Sequence, residues 1–240
     1  MASEKPLRLT VIIPVYNEVG TVTAMIDRIA KLNISNEREI IVVDDGSTDG
    51  TRELLEDFSL PCGTSDHSIL KTIFREQNKG KGAAIQTGLT HANGEIITIQ
   101  DADLEYHPED YPVAIKLIQD GHADAVYGSR FLGSHRCFLF WHYGANKFLT
   151  MLTNIMFNTI LTDMETGFKV FRAEVLKSLG IRSYTFDFEV EVTAKLCKRR
   201  YRLYEIPITY TGRSFEEGKK IRWQDGVRAL WALLKFRLMD

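Results

Sequence analysis

Short apolar runs alternate with helical patterns along the first half of the chain. These runs are rich in β-branched residues and cover Leu9 to Ile13, Glu39 to Val43, Ile69 to Phe74, Glu95 to Ile99 and Asp124 to Tyr127. Between the first two runs, apolar residues recur at helical spacing at Val22, Met25, Ile26 and Ile29. Continuous apolar runs are typical of strands buried on both faces. Their alternation with helices predicts an α/β fold, with a mainly parallel, Rossmann-like sheet flanked by helices in a single domain.

The pattern changes after Gly128. Apolar residues at helical spacing predict a long helix that contains Phe148, Leu149, Leu152, Ile155, Met156 and Ile160. A second helix is predicted from Asp187 to Cys197, and alternation from Leu203 to Tyr210 predicts a strand. From Arg222 onward, one helical face collects Trp223, Val227, Leu230, Trp231, Leu234 and Leu238.

Composition restricts the class of protein. The 240 residues are 44% hydrophobic and 26% charged, which is typical of a globular protein. Three scattered cysteines form no disulfide or zinc framework and fit a reducing compartment. No signal peptide or membrane-spanning run is evident, so we expect a cytoplasmic protein. A formal net charge of −2 gives no indication of a nucleic-acid partner.

Unusual polar residues follow three of the predicted strands. They are PVYNE after the first, DDGSTDG after the second and QDADLE after the fourth. Ligands of parallel sheets bind beyond the carboxyl ends of the strands, so one pocket is expected to collect all three segments.

The third segment contains Asp101, Asp103 and Glu105. Hard cations such as Mg²⁺ or Mn²⁺ prefer oxygen ligands, typically a couple of carboxylates together with substrate phosphates. An Asp-X-Asp pattern alone is weak evidence, because acidic pairs are common in solvated turns. Its position after the apolar run IITI favours a metal site.

The first two segments suggest contacts with a nucleoside. Gly46 and Ser47 fit a strand-to-helix turn, but such a turn does not explain the adjacent carboxylates Asp44 and Asp45. A carboxylate there could accept hydrogen bonds from a base or a ribose. In the PVYNE segment, Tyr16 could lie against a base and Glu18 could bind a ribose, although this segment is uninformative alone.

A glycine-rich stretch, NKGKG from Asn78 to Gly82, opens a predicted helix. Such a helix start can hold phosphate through its backbone N–H groups, and Lys81 adds a positive charge. A tight contact between the helix and a strand explains the glycines equally well. The stretch lacks the Walker pattern, which argues against a P-loop.

Taken together, VIIPVYNE, IIVVDDGSTDGT, NKGKGAAIQTGL, DADLEYHPED and GSRF resemble the family 2 glycosyltransferases with the GT-A fold. With DMETGFKVFR, FDFEVEV and YEIPITY, the chain is most similar to the branch that contains dolichol-phosphate mannose synthase and bacterial polyprenyl-phosphate glycosyltransferases. The resemblance extends from Leu9 to about Lys220. Within the single expected domain, residues 1–130 are predicted to form a nucleotide-sugar half and 131–221 an acceptor half. The apolar pattern predicts an amphipathic helix at 222–240.

The resemblance also implies a role for each matching residue. The donor nucleoside would be held by Pro14, Tyr16, Glu18, Asp44 and Asp45. A divalent metal, Mg²⁺ or Mn²⁺, would be bound by Asp101 and Asp103, with Glu105 as a third ligand that replaces the glutamine common in mannose synthases. The phosphates would be contacted by Lys81, Arg130, Arg213, Lys219 and Lys220, with the choice between the last two lysines open. Thr166 and Glu189 complete the expected substrate-binding set.

The implied reaction is displacement at the anomeric carbon with inversion, from a donor of the GDP-mannose or UDP-glucose type. A lipid phosphate acceptor is already ionised and needs no general base, whereas a hydroxyl acceptor needs a nearby carboxylate. The candidates for that carboxylate are Asp163, Glu165 and Glu189, of which Asp163 is favoured as catalytic. The resemblance favours a polyprenyl or dolichyl phosphate acceptor; a saccharide hydroxyl acceptor or a non-catalytic nucleotide-sugar sensor are the alternatives.

Two other classes fit less well. A receiver-type domain is about half as long, and a nucleotidyltransferase needs a glycine-rich loop where PVYNE stands.

The basic, apolar helix at the C-terminus fits three environments: the cytoplasmic face of a membrane, the catalytic domain itself, or another subunit, either a second copy or a membrane protein.

Overall fold

The described residues form a central sheet covered by helices on both faces. The structure is a computed structural model that describes residues 8–34, 37–60, 68–135, 140–185, 187–212 and 223–238. Within these ranges the strands are β1 (Leu9–Val15), β2 (Arg38–Asp44), β3 (Ser68–Phe74), β4 (Ile96–Ile99), β5 (Ala125–Ser129), β6 (Lys169–Arg172) and β7 (Leu203–Pro207). The helices are α1 (Val22–Ala30), α2 (Thr51–Glu56), α3 (Lys81–His91), α4 (Tyr111–Gln119), α5 (Phe140–Phe157), α6 (Ala173–Ser178), α7 (Phe188–Lys198) and α8 (Trp223–Leu238).

The strands pair in the order β3-β2-β1-β4-β6-β5-β7 across the described part of the chain. All neighbouring pairs are parallel except the two that involve β6, which runs antiparallel to β4 and to β5. The predicted mainly parallel sheet and single α/β domain are therefore confirmed. The sequence did not predict β6, because its four residues, KVFR, include only two apolar ones between two basic ones.

The central strands have apolar residues on both faces, which explains why helices cover both faces of the sheet. In β2, alternate residues face opposite sides: Ile40 and Val42 pack with α1 and α4, whereas Ile41 and Val43 pack with α3 and α7. Burying both faces removes the apolar side chains of the whole strand from water, which is the main stabilising contribution of such a layer. The apolar runs of β1, β2 and β4 therefore lie in the centre of the molecule, as predicted, whereas β3 is at the end of the strand order and its Ile69 is 61% exposed.

Two helices differ from the sequence-based expectation. The expected helix through Ile160 ends at Phe157, because Asn158 has a φ of 50° that does not continue a helix; Ile160 is 91% exposed. In α8 the buried residues are Ala229, Ala232, Leu233 and Phe236. The predicted apolar face is different, and its residues Trp231, Leu234 and Leu238 are exposed.

The start of α3 lies directly against the backbone of residues 183–185. A Cβ on Gly82 would overlap the carbonyl oxygen of Ser183, so only glycine allows this approach. The opposing segment is fixed by the buried carboxylate of Glu191, which accepts hydrogen bonds from the N–H groups of Arg182 and Ser183. The tight packing contact offered as one explanation of NKGKG is therefore present, but against a loop instead of a strand.

Replacement of Gly82 by Ala should destabilise the protein by about 1–3 kcal/mol, because the added methyl group meets rigid backbone. Gly144→Ala is the matched control: it lies within α5 with nothing within 4 Å of its Cβ position. This control should be neutral or stabilising by about 0.5–1 kcal/mol. Urea unfolding measures both variants, and equal free energies of unfolding for the two would contradict the packing explanation.

Candidate active site

One edge of the sheet collects the polar segments. Strands β1, β2 and β4 are mutually parallel, so residues 16–18, 44–49 and 100–105 follow them at the same edge. β5 points the same way, because both β4 and β5 are antiparallel to β6, and Arg130 follows it. The antiparallel direction of β6 also places the segment before it, residues 163–168, at this edge. The short strand that the sequence did not predict therefore adds a fifth segment to the expected pocket.

The segments after β1 and β2 are joined by hydrogen bonds. The Asn17 N–H donates to Ser47 Oγ at 2.9 Å, and the Thr48 N–H donates to Asn17 Oδ1 at 2.8 Å. Tyr16 is 37% exposed and Glu18 accepts a hydrogen bond from Thr21 Oγ1 at 2.9 Å. Pro14 lies within β1 itself, one residue before its end. The structure thus brings PVYNE and DDGSTDG together.

The adjacent carboxylates Asp44 and Asp45 are both buried and have different partners. Asp44 accepts the Ser47 N–H at 3.2 Å, which closes the turn after β2. Asp45 Oδ2 accepts the N–H groups of Lys79 and Gly80, at 3.1 and 2.8 Å. Its Oδ1 lies 2.9 Å from Arg75 Nη1, so this oxygen is paired with a cation. Burial raises the pKa of Asp45 despite these partners.

The Asp45 carboxylate therefore accepts hydrogen bonds from two backbone N–H groups that directly precede α3. Both N–H groups just before the helix are already used by this carboxylate, so they are not available to a phosphate. Arg75, which follows β3, was not identified from the sequence; its position after a strand end was the one available signal.

The metal candidate Asp101 is bound by Lys81. The Lys81 ammonium lies 2.8 Å from Asp101 Oδ1, 3.0 Å from Asp101 Oδ2 and 2.9 Å from Glu189 Oε1. These side chains are mostly buried, with exposed fractions of 12% for Lys81, 22% for Asp101 and 8% for Glu189. Burial lowers the pKa of Lys81, but the two carboxylates outweigh it and raise the pKa above its usual range. Lys81 is therefore a permanent cation between two anions.

The other two expected metal ligands have different surroundings. Asp103 Oδ1 accepts the Glu105 N–H at 3.1 Å, whereas Glu105 Oε2 accepts the Tyr210 hydroxyl at 2.6 Å. Among the described residues, no three acidic, histidine or cysteine side chains converge as a metal cage. Asp101 and Asp103 fit a Mg²⁺ or Mn²⁺ ion only if ligand phosphates complete the coordination, as is usual for Mg²⁺.

Arg130 and Asp163 form a bidentate ion pair. Arg130 Nε lies 2.7 Å from Asp163 Oδ2 and Nη2 lies 2.8 Å from Oδ1. The Arg130 backbone N–H also donates to Oδ2 at 3.1 Å. Asp163 is completely buried, which by itself would raise its pKa, but Arg130 outweighs this effect and holds the pKa below its usual range.

The segment before β6 connects this pair to Asp101. A Cβ on Gly167 would lie 2.7 Å from Asp101 Oδ2, and the Gly167 N–H donates to the Tyr106 hydroxyl at 2.8 Å. The Tyr106 ring centroid lies 5.2 Å from that of Tyr210, and the Arg130 guanidinium lies 5.4 Å from the Tyr210 centroid. Arg130 therefore contacts Tyr210, and Asp101 lies beside Gly167, whose N–H group is bound by Tyr106.

Three further polar residues of this segment are wholly or largely buried. Thr166 Oγ1 accepts the Phe168 N–H, and the Thr166 carbonyl accepts a hydrogen bond from Lys169 Nζ. Burial lowers the pKa of Lys169, whose position inside an apolar strand gave no sign of a site role. Burial, and next the charge of Glu189, raise the pKa of Glu165 well above its usual range; its Oε1 is buried without a hydrogen-bond partner.

Three expected site residues, Arg213, Lys219 and Lys220, lie outside the described residues. A groove of about 560 Å³ is present along α3, lined in part by Arg75, Lys79, Thr90 and Tyr184. We place the site at the carboxylates instead of in this groove, because none of the groove-lining residues can supply carboxylate oxygens to a cation.

Comparison with protein families identifies the fold and its lineage. The model of Glycosyl transferase family 2 matches residues 10–180. The chain is 31% identical over 218 residues to Dolichol-phosphate mannosyltransferase of Pyrococcus furiosus, an alignment that covers 89% of this chain and 59% of that protein. It is 27% identical over 253 residues to Undecaprenyl-phosphate mannosyltransferase of Micrococcus luteus, which covers 97% of this chain and 99% of that protein.

Solved structures agree on the fold. Glucosyl-3-phosphoglycerate synthase of Mycobacterium tuberculosis, in complex with Mn²⁺, UDP and phosphoglyceric acid, superposes with a TM-score of 0.71 at 19% identity, covering 98% of this chain and 80% of that one. S. aureus TarS in complex with UDP-GlcNAc gives a TM-score of 0.63 at 20% identity, covering 95% and 66% of the two chains. The expected GT-A architecture and the resemblance noted in the sequence are both confirmed: the chain belongs to glycosyl transferase family 2.

Proposed function

We propose that this protein is an inverting, metal-dependent glycosyltransferase that moves a sugar from a nucleotide-diphosphate sugar to a polyprenyl or dolichyl phosphate. The observation that supports this most is the meeting of Asp101, Lys81 and Glu189 at the sheet edge that also holds Arg130. Such an edge offers carboxylates for a cation and fixed cations for phosphates. The names of the two mannosyltransferase relatives support the acceptor class.

The donor nucleoside would lie over the joined segments after β1 and β2. Pro14, Tyr16 and Glu18 would border it, and Asp44 with Asp45 would face it from the next strand. Tyr16 is 37% exposed, so its ring is accessible to a base at this position. GDP-mannose and UDP-glucose are the donor types we propose to test.

The diphosphate would lie beside Asp101 and Asp103. A bound Mg²⁺ or Mn²⁺ would help to neutralise the negative charge that grows on the leaving diphosphate. Lys81 and Arg130 would act on the same charge as preorganised cations in a largely buried setting. Arg213 with Lys219 or Lys220 would close over the phosphates, and Thr166 and Glu189 would border the transferred sugar.

The reaction that fits these residues is a single displacement. A phosphate oxygen of the acceptor forms a bond to the anomeric carbon as the bond between that carbon and the diphosphate oxygen breaks, with inversion. Asp163 is poorly suited to accept a proton, because Arg130 binds both of its oxygens and holds its pKa low. We therefore assign Asp163 to positioning Arg130. This assignment favours an acceptor that is already ionised.

One observation favours a second candidate, transfer to a saccharide hydroxyl. The raised pKa and unpartnered Oε1 of Glu165 suit a carboxylate that accepts a proton from a hydroxyl. A rate that requires Glu165 with a saccharide acceptor, and no transfer to a lipid phosphate, would select this alternative.

Exposed apolar side chains support a membrane-bound acceptor. On α5, Phe148, Met151 and Ile155 are about half exposed or more and share one helical face, and this helix has no acidic residue. On α8, which packs against α5, Trp231, Leu234 and Leu238 form a second exposed stripe beside Lys235 and Arg237. Apolar stripes flanked by cations fit an anionic lipid surface.

We propose peripheral attachment to the cytoplasmic face of a membrane through these stripes. Within the described ranges, no helix has both the length and the apolar character that a bilayer span needs. The start of α5 lies next to the site. The ring of Tyr143 packs edge-on against the ring of Phe131, with 5.2 Å between the ring centroids, and Phe131 directly follows Arg130 in the chain. An acceptor phosphate near Arg130 could therefore extend its lipid chain along α5.

Replacement of Asp103 by Asn should reduce metal-dependent transfer by about 100-fold or more, because the cation loses a charged ligand at the leaving group. Release of GDP or UDP from a donor, with lipid phosphate and Mn²⁺ present, measures this rate. Asp120→Asn is the control, since Asp120 is exposed and forms an ion pair with Lys116 on α4. A rate in Asp103→Asn equal to that of the control would contradict the metal assignment.

The Arg130–Asp163 pair can be tested by removing one partner and then both. Arg130→Met should destabilise the fold by about 3–5 kcal/mol, because it leaves a buried carboxylate uncompensated. The double variant Arg130→Met/Asp163→Leu should regain most of this stability in urea unfolding, yet stay inactive in nucleotide release. Recovery of activity in the double variant would show that Arg130 does not contact the phosphates.

Replacement of Ile155 by Glu should lower binding to anionic liposomes by about fivefold or more, because an inserted Ile side chain contributes roughly 1.5–3 kcal/mol. Val113→Glu is the matched control, since Val113 is 58% exposed on α4, away from both stripes. Co-sedimentation measures the bound fraction. Equal binding by the two variants would remove α5 from the proposed membrane surface.

A further inference from the structure

We infer that Lys81 is a resident cation that competes with the divalent metal for Asp101, and that a bound diphosphate withdraws it. This inference rests on the proposed function, and it concerns the order in which metal and donor bind. Without nucleotide, the ammonium would keep the metal away. With nucleotide, the ammonium would move to the phosphates and leave Asp101 to the metal.

The contacts of Lys81 account for its full donor capacity. An ammonium group has three N–H donors, and Lys81 Nζ lies within 3.0 Å of three carboxylate oxygens, two on Asp101 and one on Glu189. Both oxygens of Asp101 are therefore already engaged. A cation that coordinates Asp101 must therefore share a carboxylate oxygen with the ammonium or displace it from that oxygen.

Charge repulsion opposes occupation of Asp101 by both cations. The Lys81 ammonium carries a positive charge and lies within 3.0 Å of both Asp101 oxygens. A divalent ion on the same carboxylate would lie within a few ångströms of this ammonium, in a setting where water screens poorly. Lys81 also cancels one of the negative charges of Asp101, Asp103 and Glu189, and so weakens the attraction of this group for a divalent ion.

A diphosphate changes this balance. Its oxygens can accept the Lys81 donors and also coordinate the metal, so both cations gain anionic partners. The backbone at Lys81 is held in place, because the adjacent residue Gly82 packs on the backbone of residues 183–184. Only the long, flexible lysine stem needs to move. Metal and nucleotide should therefore bind with strong mutual reinforcement, and by linkage each should strengthen the other equally.

The test measures Mn²⁺ affinity with and without a diphosphate. Electron paramagnetic resonance reports the unbound Mn²⁺, with inorganic pyrophosphate, GDP or UDP as the second ligand. In Lys81→Met without diphosphate, the Mn²⁺ affinity should rise about tenfold over the unaltered protein. The factor by which GDP, UDP or pyrophosphate strengthens Mn²⁺ binding should fall by a similar amount.

Two further variants serve as controls. Lys79→Met removes an exposed lysine two residues away, so its nucleotide-free Mn²⁺ affinity should be unchanged. Lys81→Arg keeps the charge and should bind Mn²⁺ as weakly as the unaltered protein, which keeps the test valid if Lys81→Met folds poorly. A circular dichroism melt establishes which variants are folded.

The outcomes separate the two proposals. An unchanged Mn²⁺ affinity in folded Lys81→Met, or a tenfold rise in Lys81→Arg, overturns the role of Lys81 alone. Mn²⁺ binding by the unaltered protein that is equally tight with and without diphosphate also overturns it. Failure of the unaltered protein to bind any nucleotide with Mn²⁺ overturns the proposed function itself.

Discussion

The site depends on one constraint: carboxylates that are buried at the carboxyl ends of the strands need positively charged partners. Parallel strands bring several acidic segments to this edge, and three of the carboxylates there, on Asp45, Asp101 and Asp163, are each paired with a cation from another part of the chain. Arg75 lies against Asp45, Lys81 joins Asp101 to Glu189, and Arg130 holds Asp163. An unpaired charge in this position would be strongly destabilising.

Such pairs contribute little net stability, because desolvation of both charges offsets their attraction. Their presence at the carboxyl edge is better explained by ligand binding. Each pair brings together two chain segments. Each also fixes the position of a charged group that could bind part of a nucleotide-diphosphate sugar or its metal ion. The same contacts that position the loops therefore preorganise the site, so little rearrangement is needed when charge develops on the leaving group.

The fold was largely predictable from the sequence, whereas the partners of the site residues were not. Strands such as β2 are buried on both faces, so their apolar runs, for example IIVV, are uninterrupted and easily recognised. By contrast, Lys81 and Glu189 are 108 positions apart, and no local pattern indicates that they meet. For α8 the sequence left open what covers its apolar face; the domain covers a different face that contains Ala229 and Ala232, and Trp231 is exposed. Hydrophobicity alone does not reveal which face of a helix the domain covers.

The convergence of Asp101 and Asp103 with a diphosphate is the central claim. A crystal of the protein grown with Mn²⁺ and GDP or UDP would test it through the anomalous scattering of manganese. The expected result is one strong peak in coordination contact with Asp101 and Asp103 and with oxygens of the diphosphate, while Lys81 contacts a phosphate. A manganese peak remote from both carboxylates, or a nucleotide bound away from this edge of the sheet, would contradict the claim.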